Sequence, residues 1–338
     1  MASSYSEGEL PMIQSHPSAP PRRAARRSAL ATAHQHLAVD LKALAPLRCA
    51  RQIATQWAVA GAAIGVAGMA HAWPVTVLAL IVIATRQHAL LVLMHDASHY
   101  LLSRNKRRND LLANLLLTFP LTISTSRYRA HHLAHHRHLN TPDDPDYADA
   151  FAPPTRAHLW RALLRDVTGL STLQSLRSMD SFGVFGLFGR NDATSRSECR
   201  WFVAFVATMA LAATLTHAWS GLLLYWLAPM VFFLPPILRI RSLSEHAGRA
   251  AEPVASDARS VAPGLLERLL FAPCNINCHW EHHLFPQVPS YRLGVLSARL
   301  AEQVPESAAS RRTRGYLLGR ASMLVELYPP LHPNRRFH

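Results

Sequence analysis

Cysteine is scarce in this chain, with four in 338 residues: Cys49, Cys199, Cys274 and Cys278. All four lie at or near segments assigned below to the inner side of a membrane, which argues against a disulfide framework. Cys274 and Cys278 stand i, i+4, but one such pair is a weak metal signal. The chain shows no cysteine-rich cluster motif, no dinucleotide fingerprint and no fused haem domain, so no electron carrier of its own is expected. Acidic residues are also few: 21 Asp and Glu against 35 Lys and Arg give a formal net charge of +14. The basic residues flank apolar runs rather than forming an aromatic-interleaved patch, which excludes a nucleic-acid partner. The first 33 residues are polar, Pro-rich and basic, with Arg22, Arg23, Arg26 and Arg27, and no secretory signal is expected in them.

Long apolar runs are abundant. Residues 52–72 would reach about 30 Å as a helix, one hydrocarbon thickness, and 74–94 repeats that length after a turn at Trp73-Pro74. A second pair follows at 201–216 and 221–238, the latter with a Pro235-Pro236 kink near its end. Arg48, Arg51, Arg104, Lys106, Arg107, Arg108, Arg196, Arg200, Arg239 and Arg241 all sit at the same ends of these runs. The two His-Ala-Trp turns, 71–73 and 217–219, carry no Lys or Arg. This positive-inside bias places both termini in the cytoplasm, at the inner membrane in a bacterial source. Segment 111–124, broken by Pro120, is too short to span and is expected to be interfacial. The pattern predicts an all-α integral membrane protein: four transmembrane helices in two hairpins, with a cytoplasmic helical cap carrying the histidines. Its parts are a basic tail over 1–48, a membrane domain over 49–328 and a C-terminal tail over 329–338. Residues 147–200 read as short cap helices, amphipathic around His158 to Val167 and with a Gly-containing stretch from Phe182 to Arg190. The segment from Tyr291 to Val325 has the spacing of a helix lying along the membrane surface.

Histidine is the other abundant feature. Residues 128–140 hold five imidazoles, of which His132, His135 and His136 form HxxHH. Positions i, i+3 and i+4 share one helix face, so these rings are expected to converge on one metal region. The second apolar run ends in His95-Asp96-Ala97-Ser98-His99, and the fourth in Ser244-Glu245-His246. A second HxxHH follows at His279, His282 and His283. HDxxH also approaches the zinc-protease HExxH, but Asp96 is one methylene shorter than the Glu and the chain carries far more histidine than that site uses. If 111–124 does not cross, all four segments lie on one side of the membrane and can meet. Nine histidines are too many for one six-coordinate ion and imply two. A nitrogen-rich site suits redox-active iron better than calcium or magnesium. Asp96, Asp143, Glu245 and Glu281 are the nearby carboxylates expected to orient the rings. His88, two turns deeper than His95 on roughly the same face, is a candidate to line a substrate channel, to stand behind the metal ligands or to make an interhelical hydrogen bond, and its neighbour Arg86 is a channel candidate.

Together HDASH, RAHHLAHHRHLN, RSLSEH and NINCHWEHHLFP resemble the histidine boxes of the integral-membrane fatty acid desaturase family, over about His95 to Arg292. The resemblance implies a non-haem di-iron centre with His95, His99, His132, His135, His136, His246, His279, His282 and His283 as ligands. Carried over by spacing, the second box runs from Arg129 to Asn140 and leaves His131 and His138 as flanking residues. Arg129, Asn140 and Asn277 are expected beside the ligands. Some family members place an Asn four residues before the His of the SEH segment; this chain has Ser242 there. The implied reaction uses O2 to remove hydrogen from an unactivated methylene of a fatty acyl substrate, acyl-lipid or acyl-thioester. It ends as an alkene or as an alcohol. A separate ferredoxin-like or haem electron donor and its reductase are the implied partners. A hydroxylase or ketolase on an alkyl, sphingoid or carotenoid substrate shares such boxes, and a metal-binding membrane scaffold would keep the histidines without the chemistry.

Overall fold

The structure is a computed structural model that describes residues 29–147, 152–177, 183, 193–247 and 258–329. Two spans come first, α1 (Pro46–Ala70) and α2 (Trp73–Ser98). Between them His71 takes φ 46° and ψ 31°, a left-handed residue that ends α1, and Pro74 falls at the start of α2 where its missing N–H costs nothing. His217 repeats that conformation, at φ 52°, in the second His-Ala-Trp turn. Helix α3 (Lys106–Ala113) continues through a π-type turn at Asn114–Thr118 and a 3₁₀ turn at Phe119–Leu121. Helix α4 (Thr125–His138) carries the first HxxHH, and α5 (Arg156–Val167) and α6 (Leu170–Arg177) follow in the stretch expected to hold short helices. The stretch expected from Phe182 to Arg190 falls, apart from residue 183, outside the described residues.

The second pair of spans is α7 (Ala193–Leu215) and α8 (Trp219–His246). After it come β1 (Ser260–Val261), α9 (Leu265–Phe271), α10 (His279–Leu284), α11 (Ser290–Gln303), α12 (Pro305–Ser310), β2 (Arg312–Thr313) and α13 (Met323–Leu327). The four spanning helices thus match the expected architecture, with one addition, a two-residue parallel ladder pairing Ser260 with Arg312 and Val261 with Thr313. The helices outrun their apolar runs: α1 starts at Pro46, α2 reaches Ser98 and α8 reaches His246. Two of these extensions carry histidine segments.

Prolines explain two irregularities. Pro120 offers no N–H to the Leu116 carbonyl, and Trp57 of α1 donates its indole N–H there instead, at 3.1 Å. Trp226 of α8 donates to Pro120 O at 2.7 Å, and the two indoles stack at 4.9 Å. The segment after α3 is therefore stapled between two spans. In α8 the kink expected at Pro235-Pro236 lies upstream, as π-type turns at Leu223–Leu227 and Pro229–Phe233, because prolines withdraw the donors that the preceding carbonyls would use.

Helix α2 is the core. Of its apolar window 72% is buried inside the protein, against 22% for α1, so α2 is sheathed by protein while α1 presents its surface outward. Segment 291–325 does not lie free on a surface. Leu293, Leu296 and Leu300 pack with Trp280, Leu284 and Phe285 beside the second HxxHH, and Tyr316 is buried. Its loop is held by Glu267, whose carboxylate accepts backbone N–H groups from Tyr316, Leu317 and Leu318. Gly315, at φ 99°, is required there: a Cβ would fall 2.9 Å from that carboxylate.

Candidate metal centre

Each histidine segment is positioned by contacts from another element. The end of α2, with His95 and His99, is gripped by Arg129 of α4, which donates to Ser98 O at 3.0 Å and Ala97 O at 3.1 Å. A guanidinium suits these unpaired C-terminal carbonyls. The same group pairs with Asp110 at 2.5 Å and stacks on Tyr100 at 4.0 Å. Ser124 caps α4, accepting from Arg127 N, and Glu198 of α7 accepts from Ser126. His246 closes α8. The short α10, wholly buried, is fixed through Ser260 Oγ, which accepts from Trp280 N at 3.1 Å and donates to Glu281.

These segments bring all nine predicted histidines together in two adjoining groups: His95, His99, His132, His136 and His282 in one, and His135, His246, His279 and His283 in the other. The ring nitrogens within each group lie within 4.8 Å of one another. The expectation that one HxxHH serves one metal region needs correction. In α4 the i, i+4 pair His132 and His136 joins the first group, and His135 the second. In α10 the pair His279 and His283 joins the second, and His282 the first. The reason is rotation: at about 100° per residue, i+3 and i+4 flank the starting position on opposite sides.

The nitrogens fit cations better than one another. His132 Nε2 faces His99 Nε2 at 2.9 Å and His136 Nε2 at 3.0 Å, and His136 Nε2 also faces His282 Nε2 at 3.0 Å. His279 Nε2 lies 3.0 Å from both His246 Nε2 and His283 Nε2. A ring nitrogen carries either one hydrogen or one lone pair, so it cannot satisfy two such neighbours. Nitrogens bound at roughly 2.1 Å and at right angles around one ion would stand about 3.0 Å apart. Both nitrogens of the buried His95 lack a hydrogen-bond partner, although its ring centroid lies 4.2 Å from that of His282. Burial, reinforced by neighbouring rings, drives His132, His279, His282 and His283 well below their ordinary pKa, and burial beside Arg129 drives His99 to about 4. The rings are held neutral, with lone pairs available.

The expected orienting residues scatter. Only Glu245 stands close to a grouped nitrogen, 3.6 Å from His279 Nε2, with its other oxygen on Arg241 at 2.8 Å. Asp96 instead accepts from Ser290 N at 3.0 Å, joining α2 to the start of α11. Glu281 faces Ser260 and Arg312. Asn277 exchanges bonds with Val261 of β1, and Asn140 takes a left-handed turn at φ 57° that ends the helix segment. The exposed Asp143 gives way to its neighbour Asp144, which binds His135 Nδ1 at 2.8 Å and leaves Nε2 facing the group. Asp146 holds the flanking His131 at 2.8 Å, and His138 joins neither group. Burial opposes charge on both aspartates, but the bonds to His135 and His131 hold their pKa values below the usual carboxylate range. Asp144 and Asp146 are the residues that spacing missed; their signal was a dense run of carboxylates directly after a histidine box. Cys274 and Cys278 are in no candidate metal group among the described residues, and burial pushes each thiol up to about 12.

A cavity of about 260 Å³ borders both groups, through His95 and His132 on one side and His135, His246 and His279 on the other. Leu91, Met94, Ile123 and Leu238 form its apolar wall, and Tyr128, Arg241, Ser242 and Glu245 its polar one. His88 and Arg86, proposed for a channel, do not border it. Arg86 donates to Gln56 of α1 at 2.9 Å, the interhelical alternative, and the buried His88 sits beside the Leu270 backbone.

The fold and this centre define a membrane-helix protein with a polyhistidine site able to hold metal. The chain belongs to the fatty acid desaturase family, whose model matches residues 71–315, a stretch that contains all nine histidines and leaves out α1. Dihydrorhizobitoxine desaturase of Bradyrhizobium elkanii is 25% identical over 256 residues, covering 71% of this chain and 72% of that one. The sn-1 oleoyl-lipid 12-desaturase of Synechocystis sp. is 26% identical over 267 residues, covering 73% and 74%. The protein is a desaturase-like oxidoreductase.

Proposed function

We propose that the protein is an oxygen-dependent membrane fatty acyl desaturase with one iron ion in each histidine group. The observation that carries this reading is the division of nine buried or half-buried rings into sets of five and four, each aimed inward and both bordering one partly apolar cavity. The nitrogen-only donor sets suit iron. When bound, the iron pair supplies the redox chemistry by which O2 removes hydrogen from an unactivated methylene.

The protein's own residues supply the rest. Leu91, Met94, Ile123 and Leu238 hold a methylene segment against the rings and keep water from it. Asp144 fixes the tautomer of His135, and Arg129 fixes the end of α2 on which His95 and His99 ride. The two-electron reduction comes from a separate ferredoxin-like or haem protein with its reductase. The distribution of arginine supports a cytoplasmic side for the histidine groups and both termini. Of the two relatives, the Synechocystis enzyme is named for a lipid-bound oleoyl group, which supports a lipid-linked acyl substrate here.

Expression in a host of simple lipid profile, followed by mass spectrometry of total lipids, tests the reading. A new double bond in an acyl chain, absent in the His282→Ala variant, is expected. A new hydroxyl group would place the protein among the hydroxylases, and no change in any lipid class would contradict the proposal.

A further inference from the structure

A cavity larger than the one beside the rings lies away from the histidines. It has about 850 Å³ and runs between α1 and α3. Its walls are two rows at helical spacing: Cys49, Ile53 and Trp57 on α1, and Arg108 and Leu112 on α3 with Leu116 on the π-type turn that continues it, Arg104 lying at the same end as Arg108. From the arginine end to Trp57 the walls run about 12 Å along the helix axes. The hydrogen bond from Trp57 to Leu116 O closes the deep end.

Arg104 and Arg108 are exposed and make no side-chain hydrogen bond or ion pair among the described residues. Their neighbours are engaged: Lys106 stacks on Tyr100 at 5.0 Å and Arg129 pairs with Asp110. Arg107, equally exposed, lines a different cavity, so Arg104 and Arg108 are the two arginines at the mouth of this apolar groove, beside a span. We infer that this groove binds an anionic phospholipid of the inner leaflet, phosphate on Arg104 and Arg108 and acyl chain along Ile53, Trp57, Leu112 and Leu116. The basic segment with Arg22, Arg23, Arg26 and Arg27 has the wrong charge to occupy it.

The groove does not border the histidine groups, so its occupant is not the reacting chain. It does border the element that braces them. Asn109 of α3 accepts from Leu102 N at 3.2 Å and donates to Ala97 O at 2.9 Å, beside His99. A lipid seated between α1 and α3 would stiffen that brace.

The test uses purified full-length protein in neutral detergent, titrated with dioleoylphosphatidylglycerol, dioleoylphosphatidylcholine or glycerol 3-phosphate and followed by native mass spectrometry and thermal unfolding. One phosphatidylglycerol per chain and a raised Tm are expected. Arg104→Ala/Arg108→Ala should weaken that binding about 30-fold. Leu112→Trp, which fills the groove and keeps the arginines, should also lose the bound lipid. Equal binding of phosphatidylcholine, an equal Tm rise with glycerol 3-phosphate, or undiminished binding in both variants would overturn the inference. No arm depends on turnover, so failure here is separable from failure of the desaturase reading.

Discussion

The two histidine groups are built from the same boxes but are not equivalent. In the group of five, His99 and His136 are only half-buried; in the group of four, every ring is buried. The second group also has a carboxylate bonded directly to one of its rings, Asp144 on His135, while the first relies on Arg129 gripping the helix that carries two of its members. One site is thus anchored at one ring by a carboxylate, and all of its rings are buried. The other is anchored through a helix end and reached from outside. The difference teaches that nearly identical HxxHH motifs can deliver unlike sites, because each motif gives two rings to one group and one to the other.

The comparison can be broken at several points. His282→Ala and His283→Ala remove one ring from different groups, and each should reduce turnover to background, read as loss of the unsaturated product. If either variant keeps full activity, the two-site description fails. Asp144→Ala should come next, with a fall of about 10- to 100-fold in affinity at the group of four and little change at the group of five, measured by metal titration. Asp146→Ala should do less, since its short bond is to His131, which belongs to neither group, and it stands farther from His135, at 3.6 Å, than Asp144 does. Chelator treatment of the loaded protein should remove metal in two phases, the faster from the group that holds His99 and His136. Arg129→Ala should lower stability by about 1–3 kcal/mol, seen in thermal unfolding, because it strips the Ser98 carbonyl of its side-chain donor and Asp110 of its cation while leaving every ring in place; Asn109 still donates to Ala97 O. The smallest effect is expected from Cys274→Ser, with metal content unchanged.

Much of this could be read from residue spacing. Four spans follow from apolar length, and the nine histidines stand out because i, i+3, i+4 spacing and position at span ends are local properties. The distribution of rings between groups is not local. It depends on how α4 and α10 are rotated against each other, which only packing decides. The orienting carboxylates were equally hidden: Asp144 rather than Asp143 reaches His135 because Asn140 turns left-handed and reverses the chain, and Asp96, adjacent to His95 in sequence, is drawn to the Ser290 amide instead. The helix ends past the apolar runs were missed because hydropathy stops where protein, not lipid, begins to cover the backbone.

The central claim is that the nine histidines hold two ions rather than one. Iron per chain, measured by elemental analysis of protein purified under conditions that keep bound metal, tests it most directly when wild type, His282→Ala and His283→Ala are compared. The account predicts two irons in wild type and about one in each variant. One iron in wild type, or a single substitution that removes both while the protein stays folded, would contradict it.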